Sequence, residues 1–338
     1  MTQHRIVGTT RRSILAGIAS TLVPGPRAAK AQQHDAMRRL SVLEGFGVTD
    51  AEGQKNATAL VQALGTLGWK EGVSLRIDWR PTGGDLTLYD RYAAELVALH
   101  PDVILAPSTP SVEALRRQTS TIPIVFVNIA DPVGQGFVAS LTRPGGNITG
   151  FSAYDPPMAA KWLEMLTQIT PPVGNVAVLF NPVTAPYAGL MMQAIEAAAP
   201  SLAVTVRAAP IHDDAEIEAT MAALARVPRG GLLTIPELFT NVRRATIVAL
   251  ATRYRLPAVY PFGFFATAGG LMSYGIDQAD LFRRAATYVD RIFKGAKPED
   301  LPVQAPTKFD TALNLTTAKA LGVTFGPSLL NAADEVIE

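Results

Sequence analysis

Three carboxylates follow apolar, strand-like runs of the sequence, where a sheet would present them at its edge. They are Glu44, Asp131 and Glu237. Two carboxylates that face each other across a cleft can act as general acid and general base, so a hydrolase or lyase is one interpretation of this pattern. For each carboxylate taken alone, a surface or helix-capping role is the alternative.

Small hydroxyl side chains form a second group of this kind. Ser108, Thr109 and Ser111 follow the apolar run 103–106, and Thr109-Pro110 opens a predicted helix with a capping hydroxyl and a first-turn proline. Hydroxyls and the free N–H groups at a helix start hold a carboxylate without a counter-charge. The cluster predicts a site for an acidic or zwitterionic solute, with simple helix capping as the alternative.

Other loops after predicted strands complete a candidate ligand site. In open parallel sheets, ligands sit beyond the carboxyl ends of the strands. The loop residues that this rule selects are Gly45, Phe46, Pro132 and Asn181. Aromatic rings near such loops can form the walls of a site, although packing in the core is the alternative for each. The aromatic candidates are Tyr154, Tyr187, Tyr260 and Tyr274.

Composition and motifs remove most classes of enzyme. The 338 residues include no cysteine, which excludes thiolate metal sites and cysteine nucleophiles, and only four histidines. His100 lies at a predicted helix end and His212 in a predicted N-terminal turn, where both have local structural roles. Zinc-protease, nucleophile-elbow, phosphate-loop and dinucleotide motifs do not occur. We therefore predict no catalytic residue, no metal and no cofactor.

The elements that must position these residues alternate between strands and helices. A first series of strand-like runs covers residues 40–46, 75–79, 103–106 and 122–127, and a second follows at 176–180, 203–206, 231–235 and 257–260. Helical patterns separate the runs, and such alternation builds parallel sheets covered by helices on both faces. The sequence therefore predicts an α/β fold with two doubly wound, parallel-sheet lobes.

The first 31 residues have the composition of a cleaved export signal. They contain five basic residues and no acidic one, an apolar stretch at 14–23, and a final Ala-Lys-Ala. The pair Arg11-Arg12 predicts the twin-arginine route to the periplasm, with an uncleaved anchor as the alternative.

Cleavage after Ala31 would take the formal net charge from +1 to −4. A mildly acidic chain argues against nucleic acid as a partner. The mature chain also lacks an apolar run of about 20 residues, so we expect no membrane insertion.

Several ordered segments resemble the family of ABC-transporter substrate-binding proteins that includes tryptophan and tyrosine binders. The segments are residues 121–127, 131–134, 140–150, 268–275, 281–291, 294–298, 306–309 and 327–330. The resemblance runs from about Arg39 to Glu338. It implies the type I periplasmic-binding fold, in which two lobes joined by three crossovers close on a small solute. The solute is then passed to an ABC permease in the inner membrane.

The resemblance also implies a division of the chain. Residues 38–150 plus 271–303 would form the N-terminal lobe, and residues 151–270 plus 304–338 the C-terminal lobe. The family's hydroxyl loop matches 108–111, its Asp-Pro-Val matches 131–133, and its Asn-Pro matches 181–182.

Two departures from the family pattern point to a different solute. Many members carry an Arg-Glu pair where this chain has Gly263-Phe264-Phe265, and here Glu44 stands ahead of the first-loop glycine. An amino-acid-like solute or an aromatic carboxylate is the leading expectation.

We thus expect an exported, monomeric solute receptor. The alternatives are a periplasmic hydrolase or lyase that uses cleft carboxylates, and a sensory module that presents its ligand to a receptor kinase.

Overall fold

Two largely parallel β-sheets dominate the computed structural model, which describes residues 37–154 and 157–338. The predicted export signal, residues 1–31, lies outside the described residues. Within the described part, no helix combines the length and the apolar character needed to cross a membrane.

The first sheet contains five strands, and every pairing in it is parallel. The strands are β1 (Arg38–Glu44), β2 (Leu75–Pro81), β3 (Val103–Ala106), β4 (Ile124–Ile129) and β5 (Ile148–Ser152). Their order across the sheet is β2-β1-β3-β4-β5. The intervening helices are α1 (Ala51–Thr66), α2 (Tyr89–Ala98) and α3 (Thr109–Gln118), and a 3₁₀ turn at Leu86–Leu88 precedes α2.

The second half of the chain forms a seven-stranded sheet and a small two-stranded one. Its strands are β6 (Ile169–Thr170), β7 (Asn175–Phe180), β8 (Thr205–Pro210), β9 (Gly230–Thr234), β10 (Ala258–Tyr260), β11 (Met272–Gly275), β12 (Asp310–Asn314), β13 (Thr324–Phe325) and β14 (Glu335–Ile337). The seven-stranded order is β14-β12-β11-β10-β9-β7-β8, and β6 pairs with β13. Only the β11–β12 pairing within the seven-stranded sheet is antiparallel.

Helices and 3₁₀ turns connect these strands. The helices are α4 (Pro157–Thr167), α5 (Ala188–Ala198), α6 (Asp214–Leu224), α7 (Leu238–Val242), α8 (Arg244–Arg253), α9 (Gly263–Thr267), α10 (Gln278–Phe293), α11 (Leu315–Leu321) and α12 (Pro327–Asn331). The 3₁₀ turns span Ala199–Leu202 and Pro298–Asp300.

The apolar strand runs are buried on both faces, as a parallel sheet covered by helices requires. In β1, Leu40 and Val42 join one core cluster, whereas Leu43 points to the opposite face and joins another. In β7, Leu179 and Val178 divide in the same way between two clusters. The predicted α/β class is therefore confirmed.

Both sheets repeat one strand order. The order β2-β1-β3-β4-β5 of the first sheet returns as β8-β7-β9-β10-β11 in the second. From β1, the chain adds β2 on one side and then crosses to the other side, where β3, β4 and β5 follow. The loops after β1 and β3 thus leave the sheet toward opposite faces, which opens a crevice beyond the ends of these two strands. Each half therefore has such a crevice, one between β1 and β3 and the other between β7 and β9.

The chain passes between the two sheets three times: from β5 to α4, from β11 to α10, and from Gln304 to β12. Helix α10 packs against α1 and β4 of the first half. Gln304 is tied to the edge of the first sheet, because the Ser152 N–H donates to its carbonyl oxygen at 2.8 Å. Strand β11, which the sequence assigned to the first lobe, pairs instead between β10 and β12 of the second sheet. The division into lobes otherwise stays a prediction.

Candidate functional site

The carboxyl ends of strands from both sheets surround one buried cavity of about 20 Å³. Its lining comes from the crevice of each half, where the end of β1, the loop after β3 and Asn128 of β4 face the segments after β7 and β9. The lining residues are Glu44, Gly45, Phe46, Asn56, Pro107, Ser108, Thr109, Asn128, Thr184, Tyr187, Glu237, Leu238, Asn241, Gln278 and Phe282. None of these described residues is a lysine, arginine or histidine.

Glu44, the last residue of β1, is 6% exposed. One carboxylate oxygen, Oε1, accepts the Phe46 N–H at 3.0 Å. The other, Oε2, is buried and has no hydrogen-bond partner. Burial raises the pKa of Glu44 to about 7, because the charged form loses its hydration, although the Phe46 N–H opposes this shift.

Glu237, the N-cap of α7, is the carboxylate that the second half contributes to the cavity and is 3% exposed. Its Oε1 accepts the Thr240 N–H at 2.8 Å, and its Oε2 accepts both the Phe239 N–H and the Thr184 hydroxyl. Burial again raises the pKa to about 7, against the opposing effect of these donors. Both oxygens of Glu237 are thus engaged within the protein.

Four side-chain amides around the cavity have unused hydrogen-bonding capacity. Asn56 on α1 and Gln278 at the start of α10 hydrogen-bond to each other at 3.4 Å, which leaves Asn56 Oδ1 and Gln278 Nε2 without partners. The Oδ1 atoms of Asn128 and Asn241 are likewise buried and unpartnered. Asn128 also has a left-handed backbone (φ 62°) at an irregularity in the β4–β5 pairing. Such a conformation in a non-glycine residue is uncommon and is often found at functional sites.

The serine loop after β3 is internally satisfied. The Ser111 hydroxyl donates to the Leu43 carbonyl at 2.8 Å, so the 2.7 Å contact between the two serine oxygens takes its proton from Ser108. The Ser108 oxygen accepts the Ser111 N–H at 3.3 Å, which makes Ser108 the N-cap of α3. The capping hydroxyl therefore belongs to Ser108, whereas the sequence had assigned it to Thr109. Ser111 does not line the cavity, and neither serine retains a proton for a ligand.

Several predicted site residues lie elsewhere. Asp131 and Pro132 form a turn outside the cavity, in which the Asp131 carboxylate accepts the Gly134 N–H at 2.8 Å. Asn181 does not line the cavity but positions a residue that does, because its Oδ1 accepts the N–H groups of Val183 and Thr184.

Three of the four predicted aromatic residues pack elsewhere, and only Tyr187 lines the cavity. The Tyr187 hydroxyl donates to the Pro236 carbonyl at 2.6 Å. The other rings stack or pack against neighbours: Tyr154 on Trp162, Tyr260 on Phe265, and Tyr274 on Phe309. These rings pack against apolar neighbours in the core, so an aromatic residue near a strand end did not by itself indicate a site residue.

The two halves touch directly at the rim of the cavity. Arg244 of α8 forms a two-pronged ion pair with Asp50, the N-cap of α1, at 2.8 and 3.0 Å. Nearby, Leu238 of α7 joins the apolar cluster of the first half. Gly45 allows this approach, because a Cβ atom at that position would lie 2.7 Å from Leu238 Cδ1.

Sequence reasoning missed the residues that reach the cavity from helices. Asn56, Asn241 and Gln278 lie within helices, whereas the search followed loops after strands. Asn128 lies near the end of β4, and nothing in the sequence distinguishes it from its neighbours as a site residue. No group of three or more metal-ligating side chains occurs in the part of the chain that the structure describes.

Comparison with known proteins places this architecture among solute receptors. A family model described as "ABC transporter substrate binding protein" matches residues 50–337. A curated relative from Clostridioides difficile, named "Tyrosine-binding protein", is 27% identical over 268 residues, which cover 79% of this chain and 76% of the relative.

Two solved structures superpose closely on the chain. A domain from Streptococcus pneumoniae in complex with L-Trp has a TM-score of 0.82 and 25% identity, and the match covers 89% of this chain and 100% of that one. A conserved domain protein from Vibrio cholerae has a TM-score of 0.82 and 26% identity, and the match covers 89% and 99% of the two chains.

Proposed function

The chain belongs to the ABC transporter substrate-binding protein family, and from that premise we propose that the cavity between its two sheets captures an amino-acid-like solute. Members of this family bind a small solute and deliver it to an ABC permease. Substrate-binding proteins of ABC systems act in the periplasm or outside the cell, and this chain shares that class of location.

The observation that carries the proposal is the set of unpartnered polar atoms around one cavity. Five side chains contribute them: Glu44, Asn56, Asn128, Asn241 and Gln278. A buried polar atom gains about 1–3 kcal/mol when a partner satisfies it, so these five side chains are the groups that a solute in the cavity would engage.

The relatives support an amino acid as the class of solute. One is named a tyrosine-binding protein, and another was solved with L-Trp bound. Both a carboxylate and uncharged amides line the cavity here, and these groups suit the polar end of an amino acid. The solute would differ from those of the relatives, because 263–265 and Glu44 depart from the family pattern.

Entry of a solute requires the two halves to separate. A cavity of about 20 Å³ holds little more than a water-sized group. Three chain passages connect the halves, and such connections favour hinge motion with little change inside either lobe. We expect the radius of gyration from small-angle scattering to fall when a saturating solute is added.

Catalysis is not part of the proposal. An acid–base pair needs two carboxylates that can reach a substrate, but both oxygens of Glu237 are engaged within the protein. Incubation of the purified protein with its bound solute should leave the solute chemically unchanged, as mass spectrometry would show.

We also propose export by the twin-arginine route, which rests on residues 1–31, and a monomeric state of the exported protein. The route recognises the guanidinium pair, so replacing both Arg11 and Arg12 by lysine should trap the precursor in the cytoplasm. Undiminished periplasmic yield of that variant would assign the signal to the general secretory route.

The decisive experiment for solute capture is a thermal-shift screen of the mature protein against small metabolites, followed by calorimetry. A solute at 100 times its Kd adds about 2.7 kcal/mol to the stability of the native state. Amino acids and their close analogues should dominate the solutes that stabilise the protein. Stabilisation by sugars alone would contradict the amino-acid assignment.

A further inference from the structure

The charged side chains that line the cavity are acidic. Among the described lining residues, Glu44 and Glu237 are the only carboxylates, and none is a lysine, arginine or histidine. Glu237 uses both oxygens to hold Thr184 and the start of α7, which leaves Glu44 Oε2 as the single unpartnered carboxylate oxygen of the cavity. A carboxylate accepts hydrogen bonds, most strongly from cationic donors. Glu44 has no such donor among the described lining residues.

The donors that remain for an anionic group are weak by comparison. The protons of Ser108 and Ser111 are used within their own loop. The Gln278 amide is an unpartnered donor, but it is uncharged. No lining residue in the described part of the chain therefore supplies a positive charge for a solute carboxylate.

The amides of the lining are less selective than Glu44. An amide presents its oxygen or its NH₂ group to a ligand according to how it is turned, so Asn56, Asn128 and Asn241 adapt to either end of a solute. An ionised carboxylate lacks this freedom because it only accepts hydrogen bonds, and a bound ammonium group favours the ionised form of Glu44. Glu44 is thus the one lining group whose chemistry fixes which end of a solute it binds.

We propose that Glu44 selects the solute by binding its protonated amino group, and that the cavity therefore accepts amines that lack a carboxylate. This inference rests on the proposed function and deepens it. The amino group forms charge-assisted hydrogen bonds with Glu44 Oε2 and with neighbouring amide oxygens. The carboxylate of an amino acid, by contrast, meets only uncharged donors, and its loss weakens binding little.

Matched probes test which end of the solute is recognised. Each set contains an amino acid, the amine formed by its decarboxylation and the acid that lacks its amino group: for example tyrosine, tyramine and 3-(4-hydroxyphenyl)propionate. Sets built on tryptophan, leucine and lysine cover other side chains. In every set that binds, calorimetry should show the amine within about tenfold of the amino acid, and the acid roughly 100-fold weaker or more. An acid that binds as tightly as its amine overturns the inference and leaves solute capture intact.

Substitution of Glu44 tests the residue itself. Glu44→Gln should weaken amino acids and amines by roughly 10- to 100-fold and the acid by less, because only the ammonium loses its counter-charge. Glu44→Asp keeps the charge and should keep the preference for amines. If Glu44→Gln weakens all three members of a set equally, the side chain has a structural role and the inference is wrong.

Glu237→Gln is the matched control, since it removes an equally buried carboxylate from the same cavity. That variant should change the binding of amine and acid by similar factors, because Glu237 has no free oxygen for a solute. A loss confined to amines in this variant would transfer the role to Glu237 and overturn the assignment of Glu44. If no set and no other metabolite binds to the wild type, the proposed function fails, and this inference with it.

Discussion

Each half of the molecule contributes one buried glutamate to the cavity, and the two glutamates differ in their hydrogen bonds. Glu44 ends the first strand of one half, and Glu237 follows the third strand of the other. Both are buried, and the pKa of each is raised to about 7. Glu237 caps a helix and binds a threonine, whereas Glu44 keeps one oxygen without a partner. Burial and a shifted pKa therefore do not distinguish the two carboxylates, but the unused hydrogen-bonding atom of Glu44 does.

The largest expected effect concerns the raised pKa that the two carboxylates share. A raised pKa means that the folded protein holds the proton more tightly than the unfolded chain, so each carboxylate stabilises the fold below about pH 4.5 and loses that contribution as the pH rises through 7. The stability of the wild type relative to Glu44→Gln should fall by roughly 3 kcal/mol between these limits. Denaturant unfolding at a series of pH values measures this difference. A difference that does not change with pH would show that Glu44 titrates normally.

The second prediction separates the two carboxylates by stability at neutral pH. Glu44→Gln should raise the free energy of unfolding by up to roughly 3 kcal/mol, because it removes a buried charge and the unpartnered oxygen loses no bond. Glu237→Gln should be less stable than Glu44→Gln by about 2 kcal/mol, because an NH₂ group would then face donors that the carboxylate now accepts. Urea denaturation of both variants, without solute, checks the comparison. Equal stability of the two variants would mean that the two carboxylates play the same structural role.

The third prediction concerns the contact that brings the walls together. Arg244→Met removes the two-pronged ion pair with Asp50, so the closed form should weaken and solute affinity should fall about tenfold, or about 1.4 kcal/mol. The neighbouring Arg243 pairs with Asp214 of its own half at 2.7 Å, so Arg243→Met is the control and should change affinity less than twofold. Calorimetry with one confirmed solute compares the variants. If Arg244→Met and Arg243→Met bind the solute with similar affinity, the ion pair does not stabilise the closed form.

The smallest expected effect tests the serine loop. Ser108→Ala should cost about 1 kcal/mol of stability through the loss of the α3 cap. Solute affinity should stay within about threefold, because the Ser108 proton is already used within the loop. If the loop instead bound a solute carboxylate, as the sequence predicted, the variant would lose affinity and keep an intact fold. Unfolding and binding measurements on the same variant decide between the two: a tenfold loss of affinity would restore this loop as a carboxylate site.

The sequence by itself determined the architecture. Apolar runs such as 103–106 are short, uninterrupted and separated by helical patterns, and such runs are stable only as strands buried on both faces. The fold class could be predicted because it depends on local periodicity and on topology. The rule that ligands lie beyond strand ends selected Glu44, Ser108, Thr109 and Glu237, and these four line the cavity, although their role in binding stays a prediction.

Tertiary structure alone decided which side chains remain available to a solute. Glu44 and Glu237 look alike in the sequence, and the donors that engage Glu237 include a threonine 53 residues away. Asn56 and Gln278, which are 222 residues apart, meet only because α1 packs against α10. The hydrogen-bonding capacity of a buried group is known only when all its neighbours are in place, because each donor or acceptor is satisfied by whichever partner the packing brings near. A sequence can therefore indicate the strand ends beyond which a ligand is expected. Only the packed chain shows which polar atoms at those strand ends have no partner within the protein.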